Sequence, residues 1–223
     1  VEDLVAERKA KFAQKEEFEK ASRLVPVKIK MRGAIGILHF GDPHVDDDGT
    51  DITTLERHMT LTRTVKGLFG ANVGDTTNNW MGRLARLYAQ QSTSKAEANQ
   101  LAEWFLRGAN WLYWTAGNHD NWSGEDDPLL HVARDMKILY ATHGARLNLQ
   151  FPNGAPFRIN AKHDFPGHSQ WNPVHGLMKA FEMGYRDHLN ICGHKHTSGI
   201  GAHKCPETGI IGQAVRVASY KKY

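Results

Sequence analysis

Five short segments of the chain combine histidine, aspartate and asparagine with glycine, and these polar residue types bind divalent metal ions or move protons. The segments are Asp42-Pro43-His44, Gly74-Asp75-Thr76-Thr77-Asn78, Gly117-Asn118-His119-Asp120, the single His163 and Gly193-His194-Lys195-His196. Imidazole nitrogen and carboxylate oxygen together suit transition-metal ions, whereas calcium prefers oxygen ligands alone. The sequence therefore predicts a transition-metal site built from loops that lie far apart in the chain.

The spacing within two of these segments supports metal binding. Residues i and i+2 of an extended segment point the same way, so Asp42 and His44 can reach one ion, as can His194 and His196. A turn capped by its aspartate would explain Asp42 equally well, and Gly74-Asp75 also fits a plain turn. Two imidazoles two residues apart have no such structural explanation, so the last segment points most directly to a metal.

Each polar segment follows a short apolar run that has the length and composition of a β-strand. The runs are AIGILHF, LFGANV, WLYWTA, FRINA and HLNIC. Helix-like stretches at about 53–66 and 80–107 separate the first three runs, and this alternation is typical of an α/β fold. Loops at the carboxyl ends of strands form the ligand crevice of such folds, so we expect all five segments to converge there. Strand-like stretches near 145–162 and 188–218 indicate a second sheet packed on the first.

The order Asp-x-His, Gly-Asp-x-x-Asn, Gly-Asn-His-Asp, single histidine and Gly-His-x-His resembles that of the calcineurin-like metallophosphoesterase superfamily. The resemblance covers about residues 34–218. It implies an α/β fold of two packed mixed β-sheets flanked by helices, which is a four-layer αββα metallophosphoesterase sandwich. We accordingly expect a metallophosphoesterase domain over residues 31–223, preceded by a charged N-terminal helix or linker over residues 1–30.

The resemblance also implies a pair of divalent ions that share Asp75 as a bridging ligand. The ligands of the first ion would be Asp42, His44, Asp75 and His196. Those of the second ion would be Asp75, Asn118, His163 and His194. This mixed set of donors suits Mn, Fe, Zn or Co better than Mg. Manganese is expected on the resemblance alone, with Fe, Zn, Co and Mg as alternatives.

His163 has the least sequence context of these ligands, because it stands alone and His143, His168 and His175 lie near it. The strand-like run FRINA ends just before His163. Since the other ligands also follow strands, this position favours His163 over its three competitors.

The resemblance implies that a hydroxide bridging the two ions attacks a phosphate ester, while both ions neutralise charge on the phosphoryl oxygens. His119 matches the family histidine that contacts the phosphate and protonates or stabilises the leaving oxygen, a task that suits a near-neutral pKa. Asp120 is predicted as the second catalytic residue. Either Asp120 or Asn78 could orient the ring of His119.

Several substrate classes occur in this superfamily, including phosphoproteins, nucleic acids, cyclic nucleotides and lipid precursors. Asn78-Asn79-Trp80 stands where phosphoprotein phosphatases carry Asp-Arg-Gly, and Asp120 stands where they carry glutamate, so a protein phosphatase is disfavoured. A formal net charge of +4, with Arg83 and Arg86 on a predicted helix, favours a phosphodiesterase such as a nuclease acting on nucleic acid. A solvated helix face is the competing interpretation of the two arginines.

Two other functions remain as alternatives. The first is a phosphomonoesterase that acts on a small metabolite. The second is a non-catalytic scaffold module, which is disfavoured because every ligand position and His119 are filled. Trp122 and Trp171 follow two of the polar segments, so both are predicted as walls of the substrate pocket.

The composition limits the class of protein. The 223 residues can bury one full core, and no run of about 18 apolar residues is present to span a membrane. Only two cysteines, Cys192 and Cys205, occur, which excludes a disulfide scaffold and fits a reducing, cytoplasmic location. The first residue is Val1 rather than methionine, which leaves room for a signal peptide or another domain upstream. A helix is expected over 1–25, because this charged segment lacks glycine and proline and Pro26 follows.

Overall fold

In the computed structural model, which describes residues 1–21, 23–123 and 128–222, the strands form two β-sheets. The strands are β1 (Leu24–Lys28), β2 (Gly36–Phe40), β3 (Leu68–Asn72), β4 (Trp111–Thr115), β5 (Tyr140–Ala141), β6 (Ala145–Gln150), β7 (Pro156–Ala161), β8 (Leu189–Cys192), β9 (Gly199–Lys204) and β10 (Ile211–Arg216). The helices are α1 (Glu2–Ala21), α2 (Ile52–Thr64), α3 (Lys95–Arg107), α4 (Asn118–Asn121), α5 (Pro128–Asp135) and α6 (His175–Met183), with a 3-10 helix at Gly82–Gln90. The chain is therefore a mixed α/β protein, as the alternation in its sequence predicts.

The first sheet has the strand order β2-β3-β4-β5, and its neighbouring strands all pair in parallel. The expectation of two mixed sheets is wrong for this sheet. Every connection between its successive strands contains a helix, which carries the chain back to the starting edge before the next strand begins. We call it the parallel sheet.

The second sheet has the order β1-β6-β7-β8-β10-β9, and it is mixed. Strands β6 and β7 pair antiparallel, as do β10 and β9, whereas β1 with β6, β7 with β8 and β8 with β10 are parallel. The predicted helix over 1–25 ends earlier than expected, because Leu24–Lys28 forms the edge strand β1. Pro26 is tolerated there, since an edge strand has one side free of ladder hydrogen bonds.

Apolar side chains fill the space between the two sheets. Ala71 and Tyr113 of the parallel sheet share a buried cluster with Leu147, Ile159 and Ile191 of the mixed sheet. The opposite face of the parallel sheet is also buried, because Trp114 packs in a second cluster with residues of α2 and α3. Tyr113 and Trp114 are neighbours in β4, and successive strand residues point to opposite faces. The parallel sheet is therefore apolar on both faces, which leaves its strand ends for polar chemistry.

Of the two helices that the sequence predicts between the first three strands, one forms as a single helix and the other is divided. The helix expected at about 53–66 is α2, where the side chain of Asp51 caps the amide of Thr54 at 3.0 Å. The helix expected at about 80–107 is divided into the 3-10 helix and α3. Ser94 begins α3 as part of a capping box with Glu97, so a new helix starts there. Among the helices described, none combines the length and the apolar character that crossing a membrane demands.

Candidate metal centre

The five polar segments all follow the carboxyl end of a strand, and the two sheets contribute them jointly. Asp42, Asp75 and Asn118 come after β2, β3 and β4 of the parallel sheet. His163 follows β7, and the Gly193–His196 segment follows β8, both in the mixed sheet. Because parallel strands end at a common edge, these loops meet in one place.

Three overlapping groups of side chains hold their nitrogen and oxygen donors close enough for metal binding. Within each group the donor atoms lie within 4.8 Å of one another. The groups are Asp42 with His44 and His196, His44 with Asp75 and His119, and Asp75 with His163 and His194. His44 joins the first two groups and Asp75 joins the last two, so Asp75, the predicted bridging ligand, connects the second and third groups.

The Nε2 atom of His163 lies at the meeting point of one set of donors. It is 3.1 Å from Oδ2 of Asp75, 3.0 Å from Oδ1 of Asn118 and 3.0 Å from Nδ1 of His194. Nδ1 of His163 donates to the carbonyl oxygen of Val73 at 2.9 Å. A carbonyl can only accept, so Nδ1 carries a hydrogen, and Nε2 is the ring atom that faces the other donors. Metal-binding histidines are commonly oriented by a carbonyl in this way.

Asp42 and His44 lie in the other part of the cluster, and both are buried. The two carboxylate oxygens of Asp42 accept from the amide of His194 at 2.9 and 2.8 Å. Nδ1 of His44 is buried without a hydrogen-bond partner among the described residues. A buried polar atom left without a partner costs free energy, which a bound cation would recover. The donors present therefore fit a metal ion.

Burial changes the pKa values of Asp42 and His44 in opposite directions. It lowers the pKa of His44 to about 3, so the ring is neutral and its nitrogen lone pair is available. It raises the pKa of Asp42 to about 7, with nearby His163 opposing and Asp75 reinforcing the change. A nearby cation would favour the ionised form of this carboxyl group.

Asp75 and His163 form a buried pair whose ionised forms support each other. Burial by itself would raise the pKa of Asp75, but its hydrogen bond with His163 and the charges of His163 and His119 lower it below its usual range. Burial would lower the pKa of His163, but the hydrogen bond and charge of Asp75 raise it above its usual range. Asp75 is therefore a carboxylate in this structure, which is the form that bridges cations.

Backbone conformation provides a separate indication that these loops are specialised. A positive φ is uncommon for residues other than glycine, and such strained residues cluster at functional sites. Seven described non-glycine residues have positive φ, and five of the seven are predicted ligands. These five are Asp42 (41°), His44 (40°), Asp75 (56°), His194 (73°) and His196 (53°).

Glycines let the loops approach one another closely. A Cβ atom on Gly117 would collide with the side chain of Asp75, and one on Gly193 would collide with the carboxylate of Asp42. Gly74 has a φ of +105°, and a Cβ atom there would lie 2.8 Å from Nδ1 of His163. The glycines of the sequence motifs thus make room for the donor side chains.

Asp120 joins two of the loops through backbone hydrogen bonds. One carboxylate oxygen accepts from the amides of Asp75 at 2.8 Å and Gly117 at 2.7 Å, and the other accepts from the amide of Thr76 at 3.0 Å. The side chain is buried, with 4% of the residue exposed. Asp120 is therefore placed to fix the positions of Asp75 and Asn118, and a catalytic role for it stays a prediction.

His119 lies beside Asp75, and its ring is oriented by main chain. Its Nδ1 donates to the carbonyl oxygen of Asn78 at 2.5 Å. Its own amide donates to Oδ1 of Asp75 at 2.9 Å, and its Nε2 is 3.8 Å from Oδ2 of Asp75. The amide side chain of Asn78 is used elsewhere, since it donates to Asp47 and Gln91. Of the two residues considered for orienting His119, Asn78 contacts the ring, through its backbone carbonyl.

Two tryptophans lie next to the ring of His119. The ring centroid of Trp122 is 4.1 Å from that of His119, and the centroid of Trp80 is 5.4 Å away. The sequence predicts Trp122 as a wall of the substrate pocket. Trp80 was not predicted, although it directly follows the Asn78-Asn79 pair of the second motif. Trp171, also nominated as a pocket wall, is 88% exposed.

The histidines that competed with His163 lie outside the three donor groups found among the described residues. Nδ1 of His168 is 3.1 Å from the ammonium nitrogen of Lys195, and His175 begins α6. The structure thus brings His163, rather than His143, His168 or His175, into the cluster. Its role as a ligand stays a prediction.

Comparison with known proteins gives limited information. No protein-family model and no curated protein matches the chain. A protein of unknown function, AQ665 from Aquifex aeolicus, is similar with a TM-score of 0.40 and 16% identity over 74% of this chain and 81% of that chain. The Haemophilus influenzae NAD nucleotidase NadN is similar with a TM-score of 0.46 and 12% identity over 84% of this chain and 45% of that chain. The chain therefore spans less than half the length of NadN, and at these scores the function must be argued from the site itself.

Proposed function

We propose that this protein is a metal-dependent phosphoesterase that holds two divalent ions and hydrolyses phosphodiester bonds. The observation that carries the proposal is a chain of three overlapping donor groups at strand ends, joined by His44 and by Asp75, with the donor atoms of each group within 4.8 Å of one another. The unpartnered, buried Nδ1 of His44 supports a cation at this place. The resemblance in motif order supplies the reaction class.

The proposed ligands divide into two sets that share Asp75. The first set is Asp42, His44, Asp75 and His196. The second set is Asp75, Asn118, His163 and His194. Two bound ions would supply a water of lowered pKa and would neutralise charge on the phosphoryl oxygens. Manganese as the native ion, the four-layer order, the division near residue 30 and a cytoplasmic location stay predictions.

The residues of the chain position the reacting groups. The Asn78 carbonyl fixes the hydrogen of His119 on Nδ1, so Nε2 of this ring is the atom that exchanges a proton with the leaving oxygen. Trp80 and Trp122, which both lie next to the ring, restrict its movement. Asp120 holds the loops of Asp75 and Asn118 at a fixed separation through three amide hydrogen bonds.

Phosphodiesters are the proposed substrates because the chain lacks the motif residues of phosphoprotein phosphatases and carries the exposed Arg83 and Arg86 beside the site loop. A phosphomonoesterase acting on a small metabolite is the second candidate. The polar donors and the oriented ring of His119 are all present, which argues against a non-catalytic scaffold.

Hydrolysis of bis-(p-nitrophenyl) phosphate and p-nitrophenyl phosphate, with Mn and after chelation, tests the proposal. We expect Mn-dependent turnover that favours the diester. Asp75→Asn should reduce both turnover and Mn binding by isothermal titration calorimetry. His119→Ala should reduce kcat about 10²- to 10⁴-fold while Mn still binds. Mn binding without hydrolysis of either ester would indicate the scaffold, and preference for the monoester would indicate the second candidate.

A further inference from the structure

Trp80 and Trp122 form an aromatic surface next to the proposed proton donor. Their ring centroids are 6.3 Å apart, with the ring planes tilted by 34°. Both side chains are half-buried, so part of each indole is accessible to a ligand. The tryptophans of the apolar core differ from this pair, since Trp114 is 1% exposed. This aromatic surface is therefore available for contact with the part of a substrate that lies beside His119.

Hydrogen bonds hold this surface in place before any ligand binds. Nε1 of Trp80 donates to Oε1 of Gln91 at 3.1 Å, and the same oxygen accepts from the side-chain Nδ2 of Asn78 at 3.0 Å. The side chain of Asn79 donates to the carbonyl oxygen of His119 at 2.7 Å and to the hydroxyl of Ser123 at 2.9 Å. The ring of Trp80, which is fixed in this way, loses little entropy when a planar group stacks on it, and the bonds of Asn79 hold the backbone segment that carries Trp122.

Two arginines extend from the same segment of chain. Arg83 and Arg86 are exposed in the 3-10 helix that starts two residues after Trp80. Residues i and i+3 are eclipsed in a 3-10 helix at a rise of about 2 Å per residue, so the two arginines lie on one side, about 6 Å apart along the axis. Neither takes part in an ion pair among the described residues. Two free guanidinium groups in one row are suited to phosphate groups of a polyanion.

We propose that Trp80, Trp122, Arg83 and Arg86 bind single-stranded nucleic acid, with a base stacked on the indoles and neighbouring phosphates at the arginines. Aromatic rings bind bases that are free of a duplex stack, whereas the basic row contacts the backbone. This inference rests on the proposed function, because that function places the scissile phosphate at the metal centre beside His119. The indoles then contact the nucleotide on the leaving-group side of that phosphate.

Binding can be measured without catalysis, in EDTA, by fluorescence anisotropy. The probes are a labelled oligothymidylate and an oligomer of equal length whose sugars carry no bases, so both have the same phosphates. The wild-type protein should bind the base-bearing probe at least about fivefold more tightly, since a base that stacks on an aromatic ring stabilises the complex. Trp80→Ala and Trp122→Ala should remove this difference between the probes. Trp122→Phe keeps an aromatic ring and should retain most of the difference.

The arginines should act on both probes alike. The double change of Arg83→Gln and Arg86→Gln should weaken binding of either probe and lower the slope of log K against log salt by about 0.7 to 1.4, because one or two phosphate contacts with a single strand are lost. Phe12→Ala removes an exposed aromatic ring of α1, outside this surface, and it should leave binding of both probes unchanged.

Equal affinity of the wild-type protein for the two probes would overturn the proposal, as would a preference for bases that survives both tryptophan-to-alanine changes. Binding of thymidine monophosphate as tight as that of the oligomer would also overturn it, in favour of a mononucleotide. These outcomes are separable from failure of the proposed function. Hydrolysis of bis-(p-nitrophenyl) phosphate without base-dependent binding contradicts this inference alone, and base-dependent binding without hydrolysis of any ester contradicts the proposed function alone.

Discussion

At the scale of single residues, Asp120 shows how a motif residue can act through other residues. Its carboxylate accepts from the amides of Asp75, Thr76 and Gly117, which are all buried. Asp120→Ala leaves these three donors without their acceptor, and each unsatisfied donor costs about 1–3 kcal/mol. We expect the free energy of unfolding in urea to fall by at least about 3 kcal/mol in the metal-free protein.

Asp135→Ala is the matched control for this prediction. Asp135 is 69% exposed at its side chain and pairs with Arg107 at 3.3 Å on the surface. Exposed ion pairs contribute less than about 1 kcal/mol, so the control should unfold at nearly the wild-type urea concentration. Similar losses in the two variants would show that the three amide bonds of Asp120 add no special stability.

Residue types at strand ends predicted side chains that the structure brings together, whereas they gave no information where backbone atoms make the contact. Each predicted ligand was visible because histidine, aspartate and asparagine stand at strand ends in a specific order. The orientation of His119 was not visible, because the acceptor is the carbonyl of Asn78 and every residue has a carbonyl. Trp80 was missed because its position depends on the turn after β3, and a single sequence gives no measure of that turn.

At the scale of elements, the loop after β8 depends on close packing against the loop after β2. Gly193 lies against the carboxylate of Asp42, so Gly193→Ala would displace either Asp42 or the backbone that carries His194. Changes next to metal ligands typically reduce affinity about 10- to 100-fold, and we expect a loss of Mn affinity in this range by calorimetry.

Gly209→Ala separates this effect from the general cost of replacing glycine. Gly209 has a φ of +70° with nothing within 4 Å of its added Cβ atom, so alanine there strains the backbone far from the donors. This control should lose stability and keep its Mn affinity. If Gly193→Ala binds Mn as the wild type does, then the two loops have more freedom than the structure shows.

Element types were more predictable than element boundaries. The strands before the five motifs follow from their apolar runs, and α2 follows from its length and its capping Asp51. The break between the 3-10 helix and α3 was missed, although Ser94 and Glu97 form a capping box that could have revealed it. Strand β1 was not predicted, because Pro26 and Lys28 are residue types that are uncommon in strands. Its pairing with β6 is a long-range contact that local sequence patterns do not encode.

At the scale of the whole molecule, His39 makes stability depend on pH. It lies half-buried in β2 with its Nε2 2.7 Å from the hydroxyl of Tyr113, and burial lowers the pKa of His39 to about 4. In the unfolded chain the pKa returns to about 6.5, so between these values the unfolded state binds a proton that the folded state does not. This contribution to stability is therefore complete above pH 6.5 and is lost as the pH falls towards 4.

His39→Gln removes this titration, and comparing its unfolding with that of the wild type isolates it from other groups. Between pH 7 and pH 4 the wild type should lose about 2–3 kcal/mol more than the variant in urea unfolding. Parallel pH profiles of the two proteins would mean that His39 titrates normally in the folded state.

The position of β1 predicts where the N-terminal segment can be removed. A chain that starts at Arg23 keeps β1, whereas a chain that starts at Met31 loses β1 together with Ile29, which is 7% exposed in the core. Helix α1 carries the exposed Leu4, Val5 and Phe12, so its removal should change Tm by no more than about 2 °C. The longer deletion should lower Tm by at least about 5 °C, because burial of an isoleucine alone contributes 1.5–3 kcal/mol. Equal melting of the two shortened chains would place the domain boundary near residue 30, as the sequence analysis expects.

The candidate metal ligands come from both sheets, so the affinity for an ion would depend on the alignment of the whole fold. Any sliding of one sheet over the other would pull His163 and His194 away from Asp42 and Asp75. A cation bound between them would therefore join the two sheets, and its binding free energy would add to the free energy of unfolding. Conversely, a substitution in the apolar layer between the sheets, such as Ile159→Val, would change the affinity for the ion although it replaces no ligand. The packing of the core would thus contribute to the affinity of the proposed metal site.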